Sequence, residues 1–367
     1  MTDPRDAAPP SDPGAKPHDT HAGLIDALRA SLREACPAYA GVPLQAMADK
    51  GLAHHHVRLV GTGVIARLPK QSQMGLGAQA NLDYQAACFA RASASGHAPT
   101  LHSMLAPTPT LPRGGLLVEE IHGSAARLPR DLPAIAMALA AIHSLPLPPP
   151  SQRAPLRDPA DSLRALRTEI DAQAVHLESA PLEARSRQAI AAAFTRLDAA
   201  MDKLELPQRR LISFDAHPGN FLLRDNGRAV LVDLEKARYG EPPLDLAHAT
   251  LYTSTTWDVA SYAELSVPQV MGAYDTWSRH FEGAAAWRPW FVPLRAAMWL
   301  WAVSWCAKWR ALSARDAVQG GDGEDWSQQQ SADTLVRHVR ERVDCYLSAY
   351  VIAEVDAEFV ALEREFR

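Results

Sequence analysis

The stretch Leu211-Ile-Ser-Phe-Asp215-Ala-His-Pro-Gly-Asn220-Phe-Leu-Leu223, with Val230-Leu-Val-Asp233-Leu-Glu235-Lys236 just beyond it, decides how this chain is read. An aspartate precedes an asparagine by five residues on a loop between apolar, strand-like runs, and a second aspartate ends the next such run. Between them Asp225-Asn226-Gly227 signals a hairpin, because Asn-Gly supplies the positive backbone dihedrals that a tight turn demands. A loop carboxylate, an amide oxygen and a carboxylate across a hairpin can converge on one centre. Phosphoryl transfer needs a group that orients and accepts the proton of an attacking hydroxyl, and hard oxygen ligands for Mg2+. On this reading Asp215 is the base or orienting group, and Asn220 and Asp233 are the metal ligands. The plainer alternative is a surface turn with an Asx cap at Asp215 and ordinary hairpin polar residues at Asp225 and Asp233.

Working outward, the N-terminal 21 residues, rich in Pro, Asp and Ala, cannot bury enough apolar surface to offset ordering and read as a disordered tail. Leu24, Ile25, Leu28 and Leu32 recur at helical spacing up to Pro37. His56–Val60 and Val64–Leu68, separated by Gly61-Thr62-Gly63, predict a β-hairpin. A helix follows near Asn81–Ala94, then a Pro-rich connector from Pro99 to Pro112, then a strand over Leu116–Ile121. Helices are expected over Leu132–His143, 160–177 and 183–203, and again from Asp245 onward. A strand-rich part is thus followed by a larger helical part with one embedded hairpin.

Bulk properties bound the function. The 367 residues are 47% hydrophobic and 22% charged, with a net charge of −5. No basic footprint for nucleic acid and no Lys/Arg run for a membrane surface is present. Cys36, Cys88, Cys306 and Cys345 show no CxxC pairing, so neither a disulfide framework nor a zinc site is expected. The N-terminus lacks the apolar core of a signal peptide, and Phe291–Ala307, broken by Pro293, Arg295 and Ser304, reads as a buried helix. A cytoplasmic protein follows from these readings.

The DxxxxN spacing, the His217-Pro-Gly-Asn220 run and LVDLEKARYGEPPLDLAH over 231–248 together resemble the aminoglycoside phosphotransferase and choline/ethanolamine kinase superfamily. Leu139-Ala-Ala-Ile-His143-Ser-Leu-Pro resembles its LAxLHxxP helix end. The resemblance implies an α+β, bilobal protein-kinase-like fold, with an N-lobe over residues 22–121 and a C-lobe over 122–367. It implies ATP and Mg2+ as cofactors and a small-molecule hydroxyl as acceptor. It adds Glu235 to the metal ligands, and makes His217 and Asp245 supports of the catalytic loop. Arg67, with Lys70 second, would contact phosphates, oriented by Gln85 or by Asp83 on the next helix. Backbone groups near Glu119, Glu120 and Ile121 would meet the adenine edge.

Departures from the pattern are Gln85 where a Glu is usual, Ser213 where many relatives have His, and a single glycine in the phosphate-covering loop Lys50–His56. They sustain an alternative, a catalytically silent kinase-fold module that binds nucleotide or a partner. A protein kinase proper is disfavoured by the missing DFG and APE elements. Adjacent histidines in a strand alternate faces, so His54–His56 is not read as a metal site. Trp301, Trp305 and Trp309 share one helix face and read first as core packing. The resemblance offers Trp257, Trp301 and Trp305 as an acceptor wall.

Overall fold

The structure, a computed structural model, describes residues 18–47, 53–313 and 333–366. Lys50, Gly51 and Leu52 of the expected phosphate-covering loop, and residues 1–17 of the expected tail, lie outside the described residues. The first helix, α1 (His18–Ala35), begins earlier than the sequence predicts, taking in residues 18–21 of the expected tail. Once Leu28 and Leu32 are docked against Val57, Leu59 and Val64, extending the helix by a turn adds hydrogen bonds without a new nucleation cost.

The N-lobe is built on β1 (Leu44–Ala46), β2 (His54–Leu59), β3 (Val64–Pro69), α2 (Ala78–Ala92), β4 (Leu101–Leu105) and β5 (Gly115–Glu119). The five strands form an antiparallel sheet in the order β1-β2-β3-β5-β4. The β2–β3 hairpin turns through Gly61 and Gly63, whose φ values of 81° and 70° only glycine adopts without strain. Strand β4 corrects the expected connector. Pro99 and Pro107 flank it without entering it, and a register irregularity between Leu101 and Ser103 lets the segment pair with β5.

The C-lobe continues with β6 (Ser124–Ala125), α3 (Leu132–His143), α4 (Ser162–Ala174), α5 (Ala184–Lys203), β7 (Arg210–Ile212), β8 (Phe221–Leu223), β9 (Ala229–Leu231) and β10 (Arg238–Gly240). It closes with α6 (Pro243–Thr250), α7 (Tyr252–Thr255), α8 (Val267–His280), α9 (Ala284–Trp287), α10 (Phe291–Ser313), α11 (Asp333–Tyr346) and α12 (Ala349–Glu365). Strands β8 and β9 pair as the expected hairpin and β6 joins them. Strand β7 instead pairs with β10, a segment the sequence left unassigned, because only the fold brings Ile212 opposite Arg238. This two-stranded ribbon anchors the start of the Asp215 loop and the chain just after Glu235.

Helix α10 is the C-lobe spine, packed by α4, α5 and α6. Its Trp299, with Trp277, Trp287 and Trp290, is among the largest fully buried side chains. One apolar core runs from Leu82, Phe89 and Val118 in the N-lobe through Phe214 and Phe221 into the α10 region, so the lobes meet across packed side chains. Among the described residues no helix is long and apolar enough to cross a membrane.

Candidate active site

Strand β7 delivers the chain into a loop whose first residues are held from behind. Phe214 carries φ 56°, a left-handed conformation that costs a non-glycine residue energy and needs support. Asp245 on α6, fully buried, supplies it. Its Oδ2 accepts the Ser213 N–H at 2.7 Å and its Oδ1 the Phe214 N–H at 2.8 Å. His143 Nε2 lies 3.1 Å from Oδ2, and Trp277 Nε1 donates to His143 Nδ1 at 2.9 Å. An indole N–H can only donate, so Nδ1 is the acceptor and Nε2 carries the proton toward Asp245. The Phe214 ring is sandwiched, with the Arg238 guanidinium 3.7 Å from its centroid and the Trp301 ring edge-on at 5.6 Å.

The loop is closed by its own side chains. Ser213 Oγ accepts the Asp215 N–H at 3.1 Å, so serine in place of histidine still braces the loop. His217 Nδ1 accepts the Gly219 N–H at 2.9 Å, and burial pushes this histidine down to about 4, leaving it neutral. Gly219 is required for space: a Cβ there would sit 2.6 Å from Asp258 Oδ2 and 2.9 Å from the His217 ring. Asn220 Nδ2 donates to the Asp215 carbonyl at 3.0 Å, and its own carbonyl accepts the Val232 N–H at 2.9 Å. These bonds join the Asp215 loop to the chain carrying Asp233.

The Asp215 carboxylate retains 19% exposure, with Lys236 Nζ 3.4 Å from Oδ2 and His248 Nδ1 4.0 Å from Oδ1. From the N-lobe, Arg67 on β3 crosses to the same place. Its Nη2 donates to Asp233 Oδ1 at 2.9 Å and its Nη1 to the Val232 carbonyl at 3.0 Å. Burial works against the Asp233 anion, but the Arg67 charge, helped by Lys236, outweighs it and holds the carboxyl below its usual value.

Gln85 requires a correction. It does not orient Arg67: its Oε1 faces His54 Nε2 at 3.1 Å, and its Nε2 donates to Glu235 Oε2 at 3.2 Å. His54 Nδ1 in turn faces Arg67 Nη2 at 3.5 Å. The amide fits because it accepts from the imidazole while donating to the carboxyl, which a glutamate cannot do when ionised. Burial, then the Arg67 charge, lowers His54 to about 3, while burial and the Asp233 charge push Glu235 up to about 8. Asp83 points outward and accepts from Gln79 at 2.8 Å.

The remaining candidates divide. Lys70 lies just past β3, half-buried, its N–H donating to the Ala53 carbonyl at 2.8 Å. The N–H groups of Glu119 and Glu120 are already given to Thr100 and Gly63, each at 2.8 Å. Their carboxylates pair with Arg224 and Arg58. Of the three, Ile121 is the residue whose N–H has no backbone hydrogen bond among the described residues. Trp257 packs edge-on against Trp305 at 6.0 Å. Trp301 and Trp305 are half-buried, unlike Trp309, and Lys236 Nζ stands 6.0 Å over the Trp301 ring. Two of the stripe's three members are thus only half-buried, and Trp301 stands near Lys236, which pairs with Asp215.

A cavity of about 540 Å3 lies elsewhere, lined by Arg153, Arg164, Arg209, Met201 and Trp290. Its arginines are already paired with Asp158 and Asp161, and it holds none of the groups described above. Among the described residues no group of three or more His, Cys, Asp or Glu is arranged to hold a metal. That does not count against Mg2+, which takes one or two carboxylates and fills its shell with water and phosphate.

A sheet lobe that reaches an arginine across to a carboxylate on a helical lobe, beside a loop braced from a buried aspartate, defines the protein-kinase-like class of phosphotransferases. The profile of the phosphotransferase enzyme family matches residues 49–290, and the chain belongs to that family. No curated protein matches the sequence. Among solved structures, the chain is similar to a choline/ethanolamine kinase family protein from Mesorhizobium loti, with TM-score 0.55, 18% identity, and coverage of 93% of this chain and 99% of the other. A Plasmodium vivax ethanolamine kinase aligns with TM-score 0.57 and 10% identity over 94% and 93% of the two chains. A spectinomycin phosphotransferase, solved with ADP and spectinomycin, aligns with TM-score 0.57 and 12% identity over 92% and 98%.

Proposed function

We propose that this protein transfers the γ-phosphoryl group of Mg·ATP to a hydroxyl of a small molecule. The observation that carries the reading is the tie between the Asp215 loop and the chain bearing Asp233, through the 3.0 Å Asn220–Asp215 and 2.9 Å Val232–Asn220 hydrogen bonds, with Arg67 on Asp233 at 2.9 Å. The oxygen set fits Mg2+. Glu235 Oε1 is buried without a hydrogen-bond partner, Asn220 spends its NH2 on the loop and keeps Oδ1, and Asp233 gives Arg67 only Oδ1. Asn220, Asp233 and Glu235 would hold the ion, which when bound neutralises the nucleotide phosphates.

The chain's own groups do the rest. Asp215 orients the acceptor hydroxyl and takes its proton, while Lys236 beside Oδ2 keeps that carboxylate aligned. Arg67 places a positive charge between the lobes for the phosphates, and Ile121 offers a backbone N–H to the base. The half-buried Trp257, Trp301 and Trp305 form the acceptor wall. Because Lys236 already stands over Trp301, that ring is a poor seat for a second cation.

The test is thermal stabilisation by ATP with and without Mg2+, on wild type and Asp233→Ala. A ligand at a hundredfold excess over its dissociation constant adds ~2.7 kcal/mol to the folded state. A metal-dependent shift in wild type that disappears in the variant supports the reading; no shift with any nucleotide sinks it. Asp215→Asn is expected to bind ATP and lose turnover. Binding without turnover in wild type would favour the silent module instead.

A further inference from the structure

Two histidines of this site use both ring nitrogens: His143 bonds Trp277 and Asp245, and His54 faces Arg67 and Gln85. His217 bonds Gly219 through Nδ1 and leaves Nε2 without a partner. His248 also leaves a ring nitrogen unpartnered, and that nitrogen is the one facing the Asp215 carboxylate. His248 sits one turn after Asp245 on α6, on the same helix face, and its Nδ1 is buried with no hydrogen-bond partner while lying 4.0 Å from Asp215 Oδ1. The side chain as a whole keeps 15% exposure, so part of the ring reaches solvent while Nδ1 stays buried against the carboxylate. The other carboxylate oxygen, Oδ2, is held by Lys236 at 3.4 Å. Oδ1 is thus the oxygen open to proton traffic, and His248 is what it faces.

We propose that His248 is the proton outlet of the transfer centre, relaying to solvent the proton that Asp215 takes from the acceptor hydroxyl. The inference rests on the kinase reading above. In the step, the acceptor O–H bond breaks as its oxygen bonds the γ-phosphorus, and the bond to the nucleotide's bridging oxygen breaks with its electron pair left on ADP. The proton passes from Asp215 Oδ1 to His248 Nδ1, and the proton on Nε2 leaves to water. A side-chain adjustment of about 1 Å closes 4.0 Å to hydrogen-bond distance. The ring is available as an acceptor because burial lowers its proton affinity. Asp215 and Asp245 pull that affinity up and Lys236 pulls it down.

The experiment is NMR titration of the full chain with 15N-labelled histidines, the His248 signal being identified by its loss in His248→Gln. Replacing Asp215 by Asn removes the facing carboxylate and is expected to lower the His248 midpoint; an unchanged midpoint overturns the pairing. The second arm follows phosphate release from Mg·ATP with water as the acceptor. His248→Gln is expected to lower kcat roughly tenfold or more, at unchanged KM for ATP, with no further loss in the Asp215→Asn background. Full additivity, or normal turnover in a variant whose other histidine signals show it folded, overturns the outlet alone. A wild type that neither binds Mg·ATP nor releases phosphate defeats the kinase reading, and the outlet with it.

Discussion

Asp245→Asn is the perturbation that tests how the site is built. The native carboxylate accepts three donors: Ser213 N–H at 2.7 Å, Phe214 N–H at 2.8 Å and His143 at 3.1 Å. Asparagine preserves size but offers one oxygen and turns an NH2 toward groups that are themselves donors. At least one buried donor is then stranded, at about 1–3 kcal/mol, and the surviving bonds lose charge assistance at about 1 kcal/mol each. The sum is ~3–5 kcal/mol, a large part of the ~5–15 kcal/mol that holds a typical domain together. It falls on the loop that keeps Phe214 at φ 56° and Asp215 in place. Urea unfolding followed by tryptophan fluorescence measures it, with Asp225→Asn on the exposed hairpin turn as a control expected within about 0.5 kcal/mol of wild type. A loss below about 1 kcal/mol for Asp245→Asn would refute the claim that this carboxylate organises the loop.

Three further outcomes are expected. Glu241 is buried, bonded to Ser162 Oγ, and burial pushes it from the ordinary 4.5 up to about 7. The folded state therefore binds its proton more tightly than the unfolded chain, so stability falls as pH rises from about 4.5 through about 7 and is flat above. Glu241→Gln should gain roughly 3 kcal/mol relative to wild type between pH 5 and 8, and an equal difference at both pH values would sink the assignment. Arg67→Lys exchanges a fork that bonds both Asp233 and the Val232 carbonyl for a single ammonium, at about 1–2 kcal/mol in chemical denaturation and with weaker Mg·ATP binding. Gln85→Leu strands His54 Nε2 and Glu235 Oε2 and is expected to cost about 2–5 kcal/mol, read from the same unfolding curves.

The transfer centre was legible because its parts are close in sequence and chemically unusual there. Asp215, Asn220, Asp233 and Glu235 lie within 21 residues, and Asn-Gly announces the hairpin between Asn220 and Asp233. The β2–β3 and β8–β9 hairpins were legible for the same reason, since turn chemistry is local. What only tertiary structure decided are contacts between distant segments: β7 with β10, His143 with Asp245 across 102 positions, and His54 with Gln85 across 31. His54 looked like one of three equivalent strand histidines, and burial between Arg67 and Gln85 is what singles it out. Gln85 looked like a weakened orienting residue, until the fold set it between an imidazole and a carboxyl. Likewise a tryptophan repeat fixes a helix face, but only packing divides that face into buried Trp309 and half-buried Trp301 and Trp305. The sequence by itself determined which groups could do chemistry, because residue type and short spacing are local. Which of them touch, and in what protonation state, was decided by burial and long-range hydrogen bonding, which exist only once the chain has packed.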